Sequence, residues 1–225
     1  QISGNTFRCF LIDFVGEMAK LKDNYVKGPD PGDEEEMKVW LRAYTALGFP
    51  GCLGSMDAVN IPLDRCPAGL RQIHIGKDGV PMRGYNVTVS GSRIMHIADG
   101  QPGGRNDKTK VRLDRFAKKL RSEDAYLDYS YKIKRADGSE EEITGLYVIV
   151  DGGYHKWRVL QCPSKWSLDN DECLYSEWLE SVRKDVECTF GQLKARFRVL
   201  KIPQRTYDLA TVDNIFYTCV SGVTI

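Results

Sequence analysis

Phe7, Phe10, Leu11, Phe14, Met18 and Leu21 step by three and four along the first stretch of the chain, which predicts a helix within residues 5–27. Met37, Trp40, Leu41 and Tyr44 repeat that spacing and predict a second over 34–47. Between them, "KGPDPGDEEE" is a turn-forming connector whose carboxylates suit the positive first turn of the second helix. After "GFPG" the texture changes to short β-type runs at 52–59, 85–91 and 94–98. Val111, Leu113, Phe116, Ala117 and Leu120 then predict a helix over 109–122. "YKIKRADGSEEEI" predicts a hairpin about an Asp-Gly turn, and "GLYVIVD" and "WRVLQCP" two further strands. A long helix follows over 173–198, with Leu179, Val182, Val186, Phe190, Leu193 and Phe197 as one apolar stripe. An apolar segment at 208–220 ends the pattern.

The order strand, strand, strand, helix, strand, strand, helix predicts an α/β fold, a mixed sheet flanked by helices. Residues 1–48 form an N-terminal helical subdomain in this reading, expected to pack against the sheet, and 49–225 form the main domain. With 225 residues and 42% hydrophobic content, the chain can bury one full core. Charged residues nearly balance, so net charge alone gives no reason to expect a nucleic-acid or membrane partner. Neither a membrane-length apolar run nor a signal peptide is visible. Seven scattered cysteines with no C-x-x-C pair predict reduced thiols in an intracellular protein, neither a disulfide scaffold nor a zinc site. The pattern is apolar at both ends, so the chain is expected to be part of a longer protein with further functions outside it.

Three carboxylates stand out against this background. Asp151 in "VIVDGGYHKW" follows a β-branched run, at the kind of strand end where ligands gather in such sheets; on its own the Asp-Gly-Gly reads first as a simple turn. Asp57 in "GCLGSMDAVNIP" interrupts a half-buried strand, where an unpaired charge is costly. Glu187 borders the stripe of the long helix, with Arg183 one turn before it and Gly191 one turn after. Taken alone, Arg183 and Glu187 are an ordinary surface pair on a helix. Together, two strand positions and a crossing helix can bring three carboxylates within reach of hard divalent cations, magnesium or manganese. Two such ions would suit in-line attack on a phosphodiester, with the glycines after Asp151 letting a phosphate backbone approach. His74 and His96 lack spaced partners and read as structural.

"GSMDAVNIP", "RGYNVTVSGSRIMHIADGQPGGRND", "YVIVDGGYHKW" and "RKDVECTFGQLKARFRVLKIP" together resemble the nuclease domain of the PIF/Harbinger transposases, in the plant transposon protein branch. The resemblance covers roughly residues 50–205 in the right order. It implies a ribonuclease-H-like core and a DDE triad of Asp57, Asp151 and Glu187, the last two 36 positions apart, with Asp107 as an accessory carboxylate. Asn60 stands where the family often has His, and His155 where Pro is frequent; the triad survives both changes. The implied activity is metal-dependent DNA cleavage and strand transfer in the nucleus, by an oligomer on DNA with a Myb-like protein as a possible partner. The alternative is a domesticated, non-cleaving nuclear derivative that binds DNA or protein.

Basic residues cluster locally despite the neutral total. Lys194, Arg196, Arg198, Lys201 and Arg205 lie between 191 and 205 with no acid among them, and 105–121 carries eight Lys and Arg against Asp107 and Asp114. Such runs are solvated helix faces unless they adjoin a metal site, where they become candidate phosphate contacts. Arg105, Lys108, Lys110, Arg183, Lys194, Arg196 and Arg198 are the DNA-binding candidates. The long acidic connector between the first two helices does not resemble the short turn of a helix-turn-helix reader, so binding is expected to show little sequence preference.

Overall fold

A computed structural model describes residues 3–135, 137–164 and 168–224. Helices α1 (Gly4–Lys20), α2 (Lys22–Tyr25) and α3 (Glu34–Ala46) lead the chain. Strand β1 (Cys52–Pro62) follows, then a 3-10 turn (Ala68–Leu70), α4 (Arg71–His74), β2 (Met82–Ser90), β3 (Arg93–Ile97) and β4 (Gln101–Pro102). Next come α5 (Asp107–Leu113), α6 (Arg115–Ser122), α7 (Asp124–Leu127), β5 (Ser130–Lys134), β6 (Glu140–Thr144), β7 (Tyr147–Ile149) and β8 (Leu160–Gln161). The chain ends with α8 (Asn170–Arg196), a 3-10 turn (Arg198–Leu200) and α9 (Leu209–Thr224). The main sheet has the order β3-β2-β1-β7-β8, with β4 pairing β2. β1, β2 and β3 are antiparallel, whereas β1, β7 and β8 run parallel. The mixed sheet flanked by helices that the element order predicts is therefore present.

Alternation along β1 decides which way its functional residue points. Val59 and Ile61 pack into one core with Tyr85, Val87 and the helical residues Val186, Leu193, Val212 and Phe216 of α8 and α9. Met56 instead joins Met37, Trp40, Phe116 and Leu120 on the opposite side, as does Leu53, which sits in the register shift between Cys52 and Gly54, so the alternation runs from Gly54 onward. Asp57 shares the parity of Val59 and Ile61, so it faces α8.

Several elements differ from their sequence readings. The helix expected over 109–122 is two helices broken at Asp114, because the fully buried Asp114 caps α6: Oδ1 accepts from the N–H groups of Phe116 and Ala117 at 2.8 and 3.1 Å. Its Oδ2 accepts from Asn86 Nδ2 at 2.6 Å, and His96 Nε2 lies 3.1 Å from Oδ1. Burial alone would raise the Asp114 pKa, but His96 and the donors from Asn86 and Ala117 hold it below the ordinary carboxylate value. A one-residue break leaves the apolar spacing intact, so periodicity could not reveal it.

At the N-terminus, α1 forms as predicted but buries none of its residues. Phe7, Phe10, Leu11 and Phe14 remain exposed, and the helix meets α9, where Thr218 Oγ1 donates to the Val15 carbonyl at 3.1 Å. By contrast, α3 buries Met37, Trp40, Leu41 and Tyr44, all four predicted positions. Asp33 caps it, accepting from the N–H groups of Glu35 and Glu36 at 3.1 and 3.0 Å. β5 and β6 form the expected hairpin, a separate two-stranded sheet with Gly138 at φ 83° in its turn; Ala136 of that turn lies outside the described residues. Cys9 and Cys188 are exposed thiols, and Cys52, Cys66 and Cys219 buried ones. Among the described residues, no helix is long and apolar enough to cross a membrane.

Candidate active site

Parallel pairing of β1 with β7 sets the first two carboxylates side by side. Ser55 is in register with Ile149, and Asp57 and Asp151 each lie two residues further along. Asp57 meets α8 through Arg183, and Asp151, in the turn that follows β7, opens into the same cleft as Asp57. Asp151 does form a turn: its Oδ1 accepts from the Gly153 N–H at 3.1 Å, and its carbonyl accepts from the Tyr154 N–H at 3.1 Å. Turn and site are thus compatible at this position. Gly153 keeps the space open, since a Cβ there would lie 3.4 Å from Asp107 Oδ2 and 3.9 Å from Asp151 Oδ2. Behind the turn, the buried Tyr154 donates its hydroxyl to Asn86 Oδ1 at 2.8 Å and so ties it to β2 and, through Asn86, to Asp114. That tether was legible only as a Tyr placed directly after the glycines.

Asp57, Asp107 and Asp151 line one cleft of about 670 Å³, together with Arg105, Lys108, Lys110 and Gly153. Burial raises the Asp57 pKa; the Ala58 N–H and Arg183 oppose the rise, and the charges of Asp107 and Asp151 add to it. Excess negative charge of this kind, on hard oxygen donors, fits a divalent cation. Glu187 stands apart from that arrangement. It does not line the cleft, its side chain is 52% exposed, and its Oε1 accepts from Arg183 Nη2 at 2.9 Å. Among the described residues, no group of three or more His, Cys, Asp or Glu is arranged to hold a metal ion. The three cleft aspartates offer the hard oxygen donors such an ion takes but are not gathered into one ligand set, and Glu187 is paired with Arg183.

Arg183 is the residue whose role the sequence concealed. Rather than a surface partner for Glu187 alone, it is buried at 9% exposure and reaches across to the sheet. Its Nη1 donates to Asp57 Oδ2 at 3.2 Å, and its Nη2 to Glu180 Oε2 at 3.1 Å as well as to Glu187. Only the facing parity of Asp57 and Arg183 could have signalled this, and that parity needs the strand–helix packing. One turn beyond Glu187, Gly191 is exposed, and a Cβ there would meet nothing within 4 Å. The protein's own packing therefore does not require glycine at 191, in contrast to the close approach its low helix propensity suggests.

The basic candidates divide by placement. Arg105 and Lys108 are exposed at the cleft, Arg105 donating to Gln101 Oε1. Lys110 is buried, with its Nζ 3.6 Å from Asp107 Oδ1. Lys194 is partly buried and donates to the Asn60 carbonyl at 3.3 Å, while Arg196 and Arg198 are exposed at the end of α8. A second recess of about 520 Å³ holds Lys194 and Lys201, and shares Ala58, Asn60, Asp78 and Met82 with the carboxylate cleft. The two recesses thus share a wall between the aspartates and Lys194, while Arg196 and Arg198 line neither. Lys108, Arg112 and Arg121 also surround His155: burial first, then these three charges, lower its pKa. His155 stacks on Trp157 at 4.7 Å, and Arg121 covers that ring at 3.7 Å.

Comparison with known proteins gives one family. A family model described as plant transposon protein matches residues 23–223. No curated protein and no solved structure matches the chain.

Proposed function

The chain belongs to the plant transposon protein family, and from that membership we propose that it is the catalytic part of a PIF/Harbinger-type DDE transposase, cutting and joining DNA with divalent metal ions. The observation that carries this reading is the side-by-side placement of Asp57 and Asp151 at one cleft, with Asp107 beside them. The mixed sheet flanked by helices supports a ribonuclease-H-like core. In this reading Asp57 and Asp151 hold magnesium or manganese, and Glu187 completes the set from α8. The ions would supply charge neutralisation at the phosphodiester and an activated attacking hydroxyl. The chain's own work is positional: β1 and β7 fix the two aspartates, the Tyr154–Asn86 bond holds the turn, and Gly153 leaves room for a phosphate. Arg105 and Lys108 at the cleft, and Lys194, Arg196 and Arg198 toward the end of α8, would hold the flanking phosphates. A nuclear site of action, assembly on DNA and a Myb-like partner belong to the same proposal.

One observation favours the alternative, a non-cleaving DNA- or protein-binding derivative: Glu187 is ion-paired with Arg183 and turned from the cleft. Cleavage assays separate the two. DNA binding is expected in both, and phosphate contacts should dominate it. Affinity should fall steeply when salt is raised and differ little between a transposon-end duplex and a random one. Titrating both duplexes at two salt concentrations checks this; a preference of about a thousandfold for the transposon end would mean that bases are read.

A further inference from the structure

The place of Arg183 between carboxylates of the strand and the helix has a consequence for how the site is loaded. Its guanidinium is bonded at 3.2 Å to Asp57, 3.1 Å to Glu180 and 2.9 Å to Glu187, and its side chain is only 10% exposed. Asp57 and Glu187 lie on different elements, 130 positions apart in the chain (187 − 57), and this one cation joins them. Two of its three partners are the carboxylates assigned above to metal binding, on which assignment this inference rests.

We propose that Arg183 is an internal counter-cation that competes with the divalent metal for Asp57 and Glu187, and that a DNA phosphate is the anion that draws it away. A guanidinium is a planar fork that bonds carboxylates and phosphates with the same geometry, so exchanging one for the other leaves its donors satisfied. Glu187 has the freedom such an exchange needs, being half exposed and bonded through its side chain to Arg183. Open space around Gly191, one turn away on α8, leaves a path for a nucleic-acid backbone beside that helix. Without DNA the site is neutralised from within and binds metal weakly. With DNA seated, Arg183 turns to the phosphate, and both carboxylates become available to the ions. Metal and DNA would then bind with positive coupling, each promoting the other.

The test is manganese binding, followed by the paramagnetic signal of free Mn2+, for wild type, Arg183→Gln and Arg183→Lys, each alone and with a short random duplex. Removing one positive charge beside a divalent site should tighten Mn2+ binding without DNA by about tenfold or more in Arg183→Gln. Arg183→Lys keeps the charge and should stay within about threefold of wild type. Adding the duplex should tighten Mn2+ binding in wild type far more than in Arg183→Gln. Equal affinities in wild type and Arg183→Gln, or a lysine variant as tight as the glutamine one, would overturn the proposal. Asp57→Asn made in both backgrounds separates the two layers of the argument. If it abolishes Mn2+ binding while Arg183→Gln changes nothing, the carboxylate assignment stands and the counter-cation is rejected. If Mn2+ binding ignores Asp57→Asn in both backgrounds, the carboxylate assignment fails, and the proposal with it. Thermal unfolding of each variant guards against misfolding, and a variant that unfolds early is replaced by Arg183→Met, for which the same tightening is expected.

Discussion

Glu187→Gln is expected to lower magnesium-dependent DNA nicking by about a hundredfold or more while leaving the chain folded. The amide has the size and nearly the helix propensity of the carboxylate, so α8 loses nothing as a helix. What disappears is the negative charge that would complete the cation site from the helix side. The structural loss is small: Arg183 keeps Asp57 and Glu180, and the lost pair involves a half-exposed carboxylate, which limits the cost to about 1 kcal/mol or less. Activity and stability should therefore separate. Plasmid nicking measured beside thermal unfolding reads both, and nicking at the wild-type rate by a folded variant would remove Glu187 from the mechanism.

Gly54→Ala should act in the opposite way, through the fold. A Cβ at 54 would sit 2.1 Å from the Val89 carbonyl oxygen and 3.0 Å from its carbon, both backbone atoms of β2. Neither can yield by a side-chain rotation, so β1 and β2 must part beside Ser55–Val89, the first pair of their ladder. Overpacking of this severity costs about 3 kcal/mol. The β1–β7 register shifts between Cys52 and Gly54, which marks the same close approach of strands. Gly191→Ala is the internal control: with open space around it and a helical backbone, it should stabilise the protein by about 0.5–1 kcal/mol. Chemical denaturation of the two variants tests the contrast; equal effects would mean that the backbone contact at Gly54 is relieved without cost.

Periodicity served best where one element buries one stripe. α3 is the clearest case, since Met37, Trp40, Leu41 and Tyr44 all enter the core. The same rule found α1 but misjudged its setting, because an apolar stripe records the tendency to be covered and not what covers it. β7 and β8 are shorter than their apolar runs, since pairing requires a neighbour of matching length as well as suitable residues. Asp57 and Asp151 could be picked out as charges in strand-like surroundings. Their adjacency depends on the parallel register of β1 with β7, a relation between segments about ninety residues apart that no local pattern encodes. Arg183 was hidden for a related reason: its bond to Glu187 is local to the helix, and its bond to Asp57 crosses to the sheet. The capping role of Asp114 was masked by intact apolar spacing on both sides of it.

Metal-dependent DNA cleavage through Asp57 and Asp151, as proposed, is tested most directly by nicking of supercoiled plasmid by wild type, Asp57→Asn and Asp151→Asn. The prediction is that wild type nicks in the presence of magnesium and stops when a chelator is added, and that both variants, still folded and still binding DNA, are silent. Nicking by either variant at the wild-type rate, or by wild type unchanged in chelator, would contradict it.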